Sequence, residues 1–126
     1  MTLRDREWLD DALAAFDLLY FEGALAEVPV RIVWHTYRPA VAYTCGDYLE
    51  GRIRINRRLS SLVVPDYVVL GTVYHECLHA VVGMDHDISF ELAEGRYVHR
   101  TKAALWEAYH LDAVMRPGGP PCNTPP

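Results

Sequence analysis

Residues 65–82 form a stretch that is apolar on nearly every side, yet two histidines and a glutamate, His75, His79 and Glu76, lie within it. Pro65 at its start is typical of the first turn of a helix. A helix without a polar face is normally buried by the rest of the protein. Burying two imidazoles and a carboxylate without partners costs several kcal/mol. The sequence therefore predicts a buried helix whose polar side chains have a dedicated role.

The order His75-Glu76-Cys77-Leu78-His79 is typical of a helical zinc motif. Residues four apart lie on one face of a helix, so the two imidazoles are close enough to share an ion. Zn²⁺ binds neutral imidazole and lowers the pKa of a bound water to about 7. Glu76 is then placed to act as general base towards that water and as acid towards the leaving amine. Cys77 faces the opposite side and is predicted to be a core residue.

A catalytic zinc site needs a third protein ligand and an open fourth position. We expect His86 to be the third ligand, because Gly83 allows the chain to turn back towards the helix. The alternatives, in order, are His99 and then the two glutamates Glu91 and Glu94. Three nearby residues are candidates for hydrogen bonds that fix the tautomer of a ligand: Asp85, Asp87 and Thr72. Either aspartate is equally consistent with the N-cap of the last helix.

The remaining sequence predicts an α+β domain around this helix. The domain has an N-terminal helix, a small, mostly antiparallel sheet of about three strands and a C-terminal covering helix. Thr2 and Asp5 fit a capping box before the first helix. The predicted helices span 3–21, 65–82 and 87–113, and the last is bent near Gly95. The predicted strands span 28–34, 43–48 and 52–56. The turn residues between the last two strands are Gly46, Asp47 and Gly51.

Composition narrows the class of protein further. We expect one domain over residues 1–114 and a disordered tail rich in Pro and Gly over 115–126. The formal net charge of −5 argues against a free-standing nucleic-acid binder, despite a local basic cluster at Arg52, Arg54, Arg57 and Arg58.

Three cysteines without a CxxC pair argue against a disulfide framework and against a four-cysteine zinc ribbon. Neither a membrane span nor the apolar core of a signal peptide is predicted. A reducing cytoplasm is the expected location.

The sequence resembles the SprT-like zinc metallopeptidases at the level of their minimal catalytic domain. The segments that carry the resemblance are Phe16–Leu25, Val30–Trp34, Gly51–Asn56, Tyr74–Ala80 and His86–Phe90. In that family the third histidine typically precedes Gly and then an aromatic residue; here Asp87 replaces the Gly, and Phe90 keeps the aromatic position. The resemblance implies a zincin-like fold, a zinc cofactor and a protein or peptide substrate. The DNA-linked role of some relatives is not carried over.

A weaker resemblance connects the chain to the YbeY-type endoribonucleases. His75 and His79 followed by Gly83-Met84-Asp85-His86 are similar to their metal-binding signature. Those proteins usually have Gly at the position of Glu76, and their last spacing is one residue shorter. A metal-dependent endoribonuclease is therefore the alternative, and a non-catalytic, zinc-stabilised interaction domain is the third hypothesis.

For a peptidase, we expect the substrate to bind as an added strand along a sheet edge beside the metal. The strand nearest the motif in sequence, 52–56, is the predicted position of that cleft. The residue that stabilises the transition state stays open among Tyr43, Tyr48, Tyr97 and His99.

Overall fold

The computed structural model describes residues 3–116, which form a mixed α+β domain. Within them, five α-helices surround one three-stranded sheet. In chain order these elements are α1 (Arg6–Leu19), α2 (Ala24–Glu27), β1 (Arg31–His35), β2 (Gly46–Leu49), β3 (Arg52–Asn56), α3 (Asp66–Val81), α4 (Ile88–Glu94) and α5 (Arg100–Met115). The α+β prediction is confirmed at this level.

Both ends of the chain extend past these residues. Thr2 and positions 117–126 of the predicted tail lie outside the described residues. Asp5 caps α1, accepting a hydrogen bond from the Trp8 N–H. Met115 belongs to α5 and is fully buried, so the packed domain extends one residue beyond the predicted boundary. Between residues 3 and 116, no helix has the length and apolar character needed to cross a membrane.

The sheet has the strand order β1-β3-β2. Strand β3 pairs in parallel with β1 and antiparallel with β2. The prediction of a mostly antiparallel sheet was therefore wrong: the chain crosses from β1 to the far edge, forms β2 there and returns as β3 through the centre. Because β3 is paired on both sides, it has no edge for an added strand, and the predicted cleft along 52–56 was wrong as well.

A tight turn at Glu50 and Gly51 connects β2 to β3. Both residues have positive φ angles, 49° and 81°, as a two-residue type I′ hairpin requires. A Cβ atom at Gly51 would lie 2.7 Å from the carbonyl oxygen of Pro29, so this position needs glycine for space as well. The predicted turn residues Gly46 and Asp47 instead lie within β2.

Helix α3 lies at the centre of the domain and contacts α1, α4, α5 and β2. Cys77 is fully buried, as predicted for the helix face opposite the histidines, and Ile53 and Ile55 are fully buried on the inner face of β3. The single covering helix predicted over 87–113 is two helices. The first, α4, ends at Gly95 because a short turn follows, and the second, α5, packs against α3.

A buried arginine joins the N-terminal end of α3 to the segment before α1. Only 4% of the Arg4 side chain is exposed, and its guanidinium donates to the Asp66 carboxylate. It also donates to three backbone carbonyls, those of Leu59, Ser61 and Val64. The chain itself supplies acceptors all around this charge, so its burial leaves no unpaired polar group at this end of the helix.

Candidate metal centre

The three histidines expected to bind metal lie together at the C-terminal end of α3. The Nε2 atoms of His75 and His79 are 3.2 Å apart, and those of His79 and His86 are 3.1 Å apart. Two nitrogens at 2.0–2.1 Å from one zinc ion in tetrahedral geometry lie about 3.3 Å apart. The three side chains are therefore close enough to hold one metal ion.

Hydrogen bonds at the opposite ring nitrogens orient two of these imidazoles. The Nδ1 atom of His75 contacts the Glu94 carboxylate, and the Nδ1 atom of His79 lies 3.0 Å from the Gly83 carbonyl oxygen. Because both partners are acceptors, we assign the proton of each neutral ring to Nδ1. Two Nε2 lone pairs then face each other, an arrangement that a shared cation relieves. This donor set fits a metal ion.

Packing and burial also favour neutral histidine rings that are held close together. Phe90 is buried, and its ring lies 4.6–5.1 Å, centroid to centroid, from the rings of His75, His79 and His86. The aromatic position noted in the sequence thus forms one wall of the centre. Burial lowers the pKa of His79, which favours the neutral imidazole that binds metal. Gly83, at φ 139°, makes the predicted turn towards His86.

Glu76 lies beside the histidines in an unusual environment for a carboxylate. It is only 5% exposed, and it makes no hydrogen bond or ion pair with any residue between 3 and 116. Because none of the fully buried side-chain oxygens in this range lacks a partner, the Glu76 oxygens reach the adjoining cavity. Burial, together with repulsion from Asp47 and Glu94, raises its pKa to about 7. A carboxylate with a pKa near neutrality is suited to accept and return a proton at physiological pH.

A cavity of about 630 Å³ opens beside His75 and Glu76. Its walls come from the start of β2, one face of α3, the end of α4 and one face of α5. Ligand pockets are typically about 300–1,000 Å³. The cavity is therefore large enough to admit a substrate segment next to His75, the one of the three histidines that lines it.

The structure separates the other ligand candidates from the metal centre. His99 is the N-cap of α5 and packs against Tyr67 and Tyr97. Glu91 is exposed on α4, and Glu94 contacts His75 at Nδ1 instead of joining the three Nε2 atoms.

The predicted tautomer-fixing partners were wrong. Asp87 caps α4, as the alternative interpretation allowed, and makes its hydrogen bond to the Phe90 N–H. No hydrogen bond within residues 3–116 joins Asp85 or Thr72 to a histidine. Glu94 and the Gly83 carbonyl hold the rings instead. A partner nineteen residues away on another helix leaves no local spacing signal, and a backbone carbonyl leaves no sequence signal.

The candidates for a transition-state donor are not brought to the histidines by any contact in the described chain. Tyr97 lines the cavity, but its hydroxyl donates to the Tyr67 carbonyl. Tyr43 is half exposed, and Tyr48 lies in β2.

A polar cluster on the sheet was not found from the sequence. The Tyr37 hydroxyl and the Arg54 guanidinium both donate to the Asp47 carboxylate, at 2.7–2.9 Å. Burial alone would raise the pKa of Asp47, but hydrogen bonds from Arg54 and Tyr37 outweigh it and lower the pKa. Asp47 therefore stays ionised and contributes to the raised pKa of Glu76.

No family model matches the chain, and neither a curated protein nor a solved structure matches it. The resemblance to the two metal-dependent families remains a prediction from the residues quoted above.

Proposed function

We propose that this protein is a zinc-dependent metallopeptidase with a zincin-like fold, in which His75, His79 and His86 hold the zinc. The observation that carries the proposal is the environment of Glu76. Its side chain is largely buried, which disfavours the ionised form, and its oxygens reach the cavity instead of a partner in the described chain. It faces the same cavity as a candidate ligand, where a general base is needed. A site that only stabilised the fold would have no use for it.

Zinc bound to these histidines supplies a Lewis acid for the scissile carbonyl and acidifies the attacking water. Glu76 takes a proton from that water and returns it to the leaving amine. Glu94 and the Gly83 carbonyl keep the His75 and His79 rings in the tautomer that presents Nε2. Phe90 keeps solvent from the inner side of the three rings.

A purely structural zinc site is less consistent with the donor set. Structural sites usually fill all four positions with protein ligands. The group of metal-binding side chains found among residues 3–116 contains the three histidines alone. Glu94, the nearest further carboxylate by contact, is engaged at the back of His75.

The charges around the cavity favour a peptide over RNA. Three carboxylates line it, from Glu76, Glu94 and Glu107, against one guanidinium, from Arg100. An RNA strand would bring phosphates towards this acidic surface, and these carboxylates would repel them. The endoribonuclease therefore stays the second candidate.

The outer edge of β2 is where an extended peptide would bind. Strand β2 is at one side of the sheet and lies against α3. A Cβ atom at Gly46 would lie 3.2 Å from the Thr72 side chain, so glycine permits this close approach next to the cavity. A substrate paired with β2 would add a strand beside the metal centre.

The test compares wild type with His86→Ala and Glu76→Gln, purified without chelator or nickel. We expect about one zinc per chain in wild type and a sharp loss in His86→Ala. Glu76→Gln should keep its zinc but cleave a mixed peptide library at least about 100-fold more slowly. Wild type without zinc, even after zinc is added back, would overturn the proposal. Zinc-dependent cleavage of RNA but not of peptides would favour the endoribonuclease.

A further inference from the structure

The cavity continues from the metal centre towards α5. On that side its wall includes Arg100, Ala104 and Glu107, and the small residues Gly71 and Ala103 line it where α3 and α5 approach closely. A long side chain entering beside His75 would therefore lie along the wall that α5 contributes to the cavity. Its tip would meet the polar groups that α5 presents.

Two of the charged groups in this cavity are already engaged. Glu94 contacts His75 through one carboxylate oxygen and the Arg100 guanidinium, at 3.4 Å, through the other. Arg100 is thereby held by Glu94. Glu76 faces the histidines and is assigned to the reaction. Glu107 is the remaining ionisable carboxylate, half-buried, and it has no hydrogen bond or ion pair with residues 3–116.

Cys45 lines the same cavity as Glu107 and Glu76. Burial, with smaller contributions from the carboxylates of Glu107 and Glu76, raises the pKa of the Cys45 thiol to about 11. Burial and repulsion from Glu94 also raise the pKa of Glu107. A half-buried carboxylate among like charges is relieved by a cation, and within the described chain no side chain supplies one.

We propose that this cavity is a specificity pocket for a lysine or arginine side chain next to the scissile bond, and that Glu107 is the residue that pairs with its cation. The proposal rests on the proposed peptidase function and adds the class of substrate. The cavity of about 630 Å³ has room for the aliphatic part of such a side chain, while the Glu107 carboxylate on its α5 wall pairs with the cation.

The first test measures binding without catalysis. Zinc-loaded Glu76→Gln protein is titrated with two fluorescent peptides that differ at one position, lysine or the uncharged norleucine, and binding is followed by anisotropy. We expect the lysine peptide to bind on the order of 3- to 10-fold more tightly. Adding Glu107→Gln should bring the two affinities within about 2-fold, and Glu107→Lys should make an otherwise identical glutamate peptide the preferred ligand.

The matched control is Glu27→Gln, an exposed glutamate on α2 outside the cavity, which should leave the lysine preference unchanged. Equal binding of the lysine and norleucine peptides, or a preference that survives Glu107→Gln, would overturn the proposal. Thermal melting of each variant checks that the fold is retained.

The second test separates this proposal from the proposed function. Wild type is given a peptide library, and the cleavage sites are identified by mass spectrometry. Cleavage without enrichment of lysine or arginine next to the cut bond would leave the peptidase in place and overturn the pocket. A lysine preference in binding without any cleavage would support the pocket and overturn the peptidase.

Discussion

The polar groups at the two ends of α3 differ in whether the chain supplies their hydrogen-bond partners. At the N-terminal end, the Arg4 guanidinium is surrounded by acceptors from the chain itself. At the C-terminal end, the Nε2 atoms of His75, His79 and His86 point towards one another, and Glu76 has no hydrogen-bond partner in residues 3–116. At the N-terminal end, the chain itself supplies a hydrogen-bond partner for each buried polar group. At the C-terminal end, hydrogen-bond acceptors outnumber donors.

The difference distinguishes a polar cluster whose hydrogen bonds the chain completes from one that could still bind a ligand. Buried polar groups in native proteins are almost always hydrogen-bonded. A cluster that the chain completes by itself needs no ligand. A cluster of lone pairs and a carboxylate without donors is stabilised by a cation and a water from outside. The predictions below perturb one end or the other and compare the free energy of unfolding with metal affinity.

Removing the Arg4 guanidinium at the N-terminal end of α3 should have a large effect on stability. We expect Arg4→Met to lower the free energy of unfolding by about 3–5 kcal/mol, because several buried carbonyls lose their donor. Urea denaturation measures this, with and without chelator, and the loss should be equal in both. The control Arg6→Met, at the exposed start of α1, should change stability by no more than about 0.5 kcal/mol. A loss that appeared only in the presence of metal would contradict the comparison.

Zinc should stabilise the protein only through the three histidines at the C-terminal end of α3. At a free zinc concentration 100 times the dissociation constant, we expect the free energy of unfolding to rise by about 2.7 kcal/mol. His86→Ala should abolish this rise, since one of the three converging nitrogens is gone. His110→Ala, an exposed histidine on α5, should retain it. Thermal or urea unfolding across a zinc titration gives the answer, and an equal response in both variants would refute the site.

Removing Glu94, the hydrogen-bond partner of His75, should weaken zinc binding less than removing one of the three histidines. We expect Glu94→Gln to weaken zinc binding by about 10- to 100-fold, because the ring loses the acceptor that fixes its tautomer. Competition with a chromophoric chelator measures the affinity. Glu91→Gln, an exposed position on the same helix, is the matched control and should bind zinc normally. A large loss in that control would instead identify Glu91 as a ligand.

A smaller effect is expected from the sheet cluster, where the chain again completes its own charges. Because the pKa of Asp47 is lowered in the folded state, its ion pair with Arg54 stabilises the protein above the ordinary aspartate pKa of about 3.9. That contribution is lost as the pH falls through the lowered value. Asp47→Asn should therefore cost up to about 1 kcal/mol at pH 7 and less in acid. Urea unfolding of both proteins against pH tests the sign.

The residues that the sequence predicts well are those whose signal is local. The bounds of β3 agree with the prediction, and the predicted helix around His75 and His79 differs from α3 by one residue at each end. His86 was found because a glycine and a short spacing indicate a turn back to the helix. In each case neighbours in sequence determine the geometry.

The features that the prediction missed depend on long-range contacts. The parallel pairing of β1 with β3 is fixed by how the chain crosses the sheet, which no strand pattern encodes. The partners of Arg4 are 55–62 residues away. Glu94 and Glu107 reach the cavity only because α4 and α5 pack against α3. None of these contacts leaves a periodic pattern in the sequence.

The buried carboxylate of Glu76 also bears on how such a sequence changes over generations. An apolar residue at this position would remove a desolvated charge from the core and stabilise the fold. A lineage released from selection for catalysis is therefore expected to lose this glutamate early. Restoring it later would again require the fold to bury an unpaired charge, so the loss tends to be one-way.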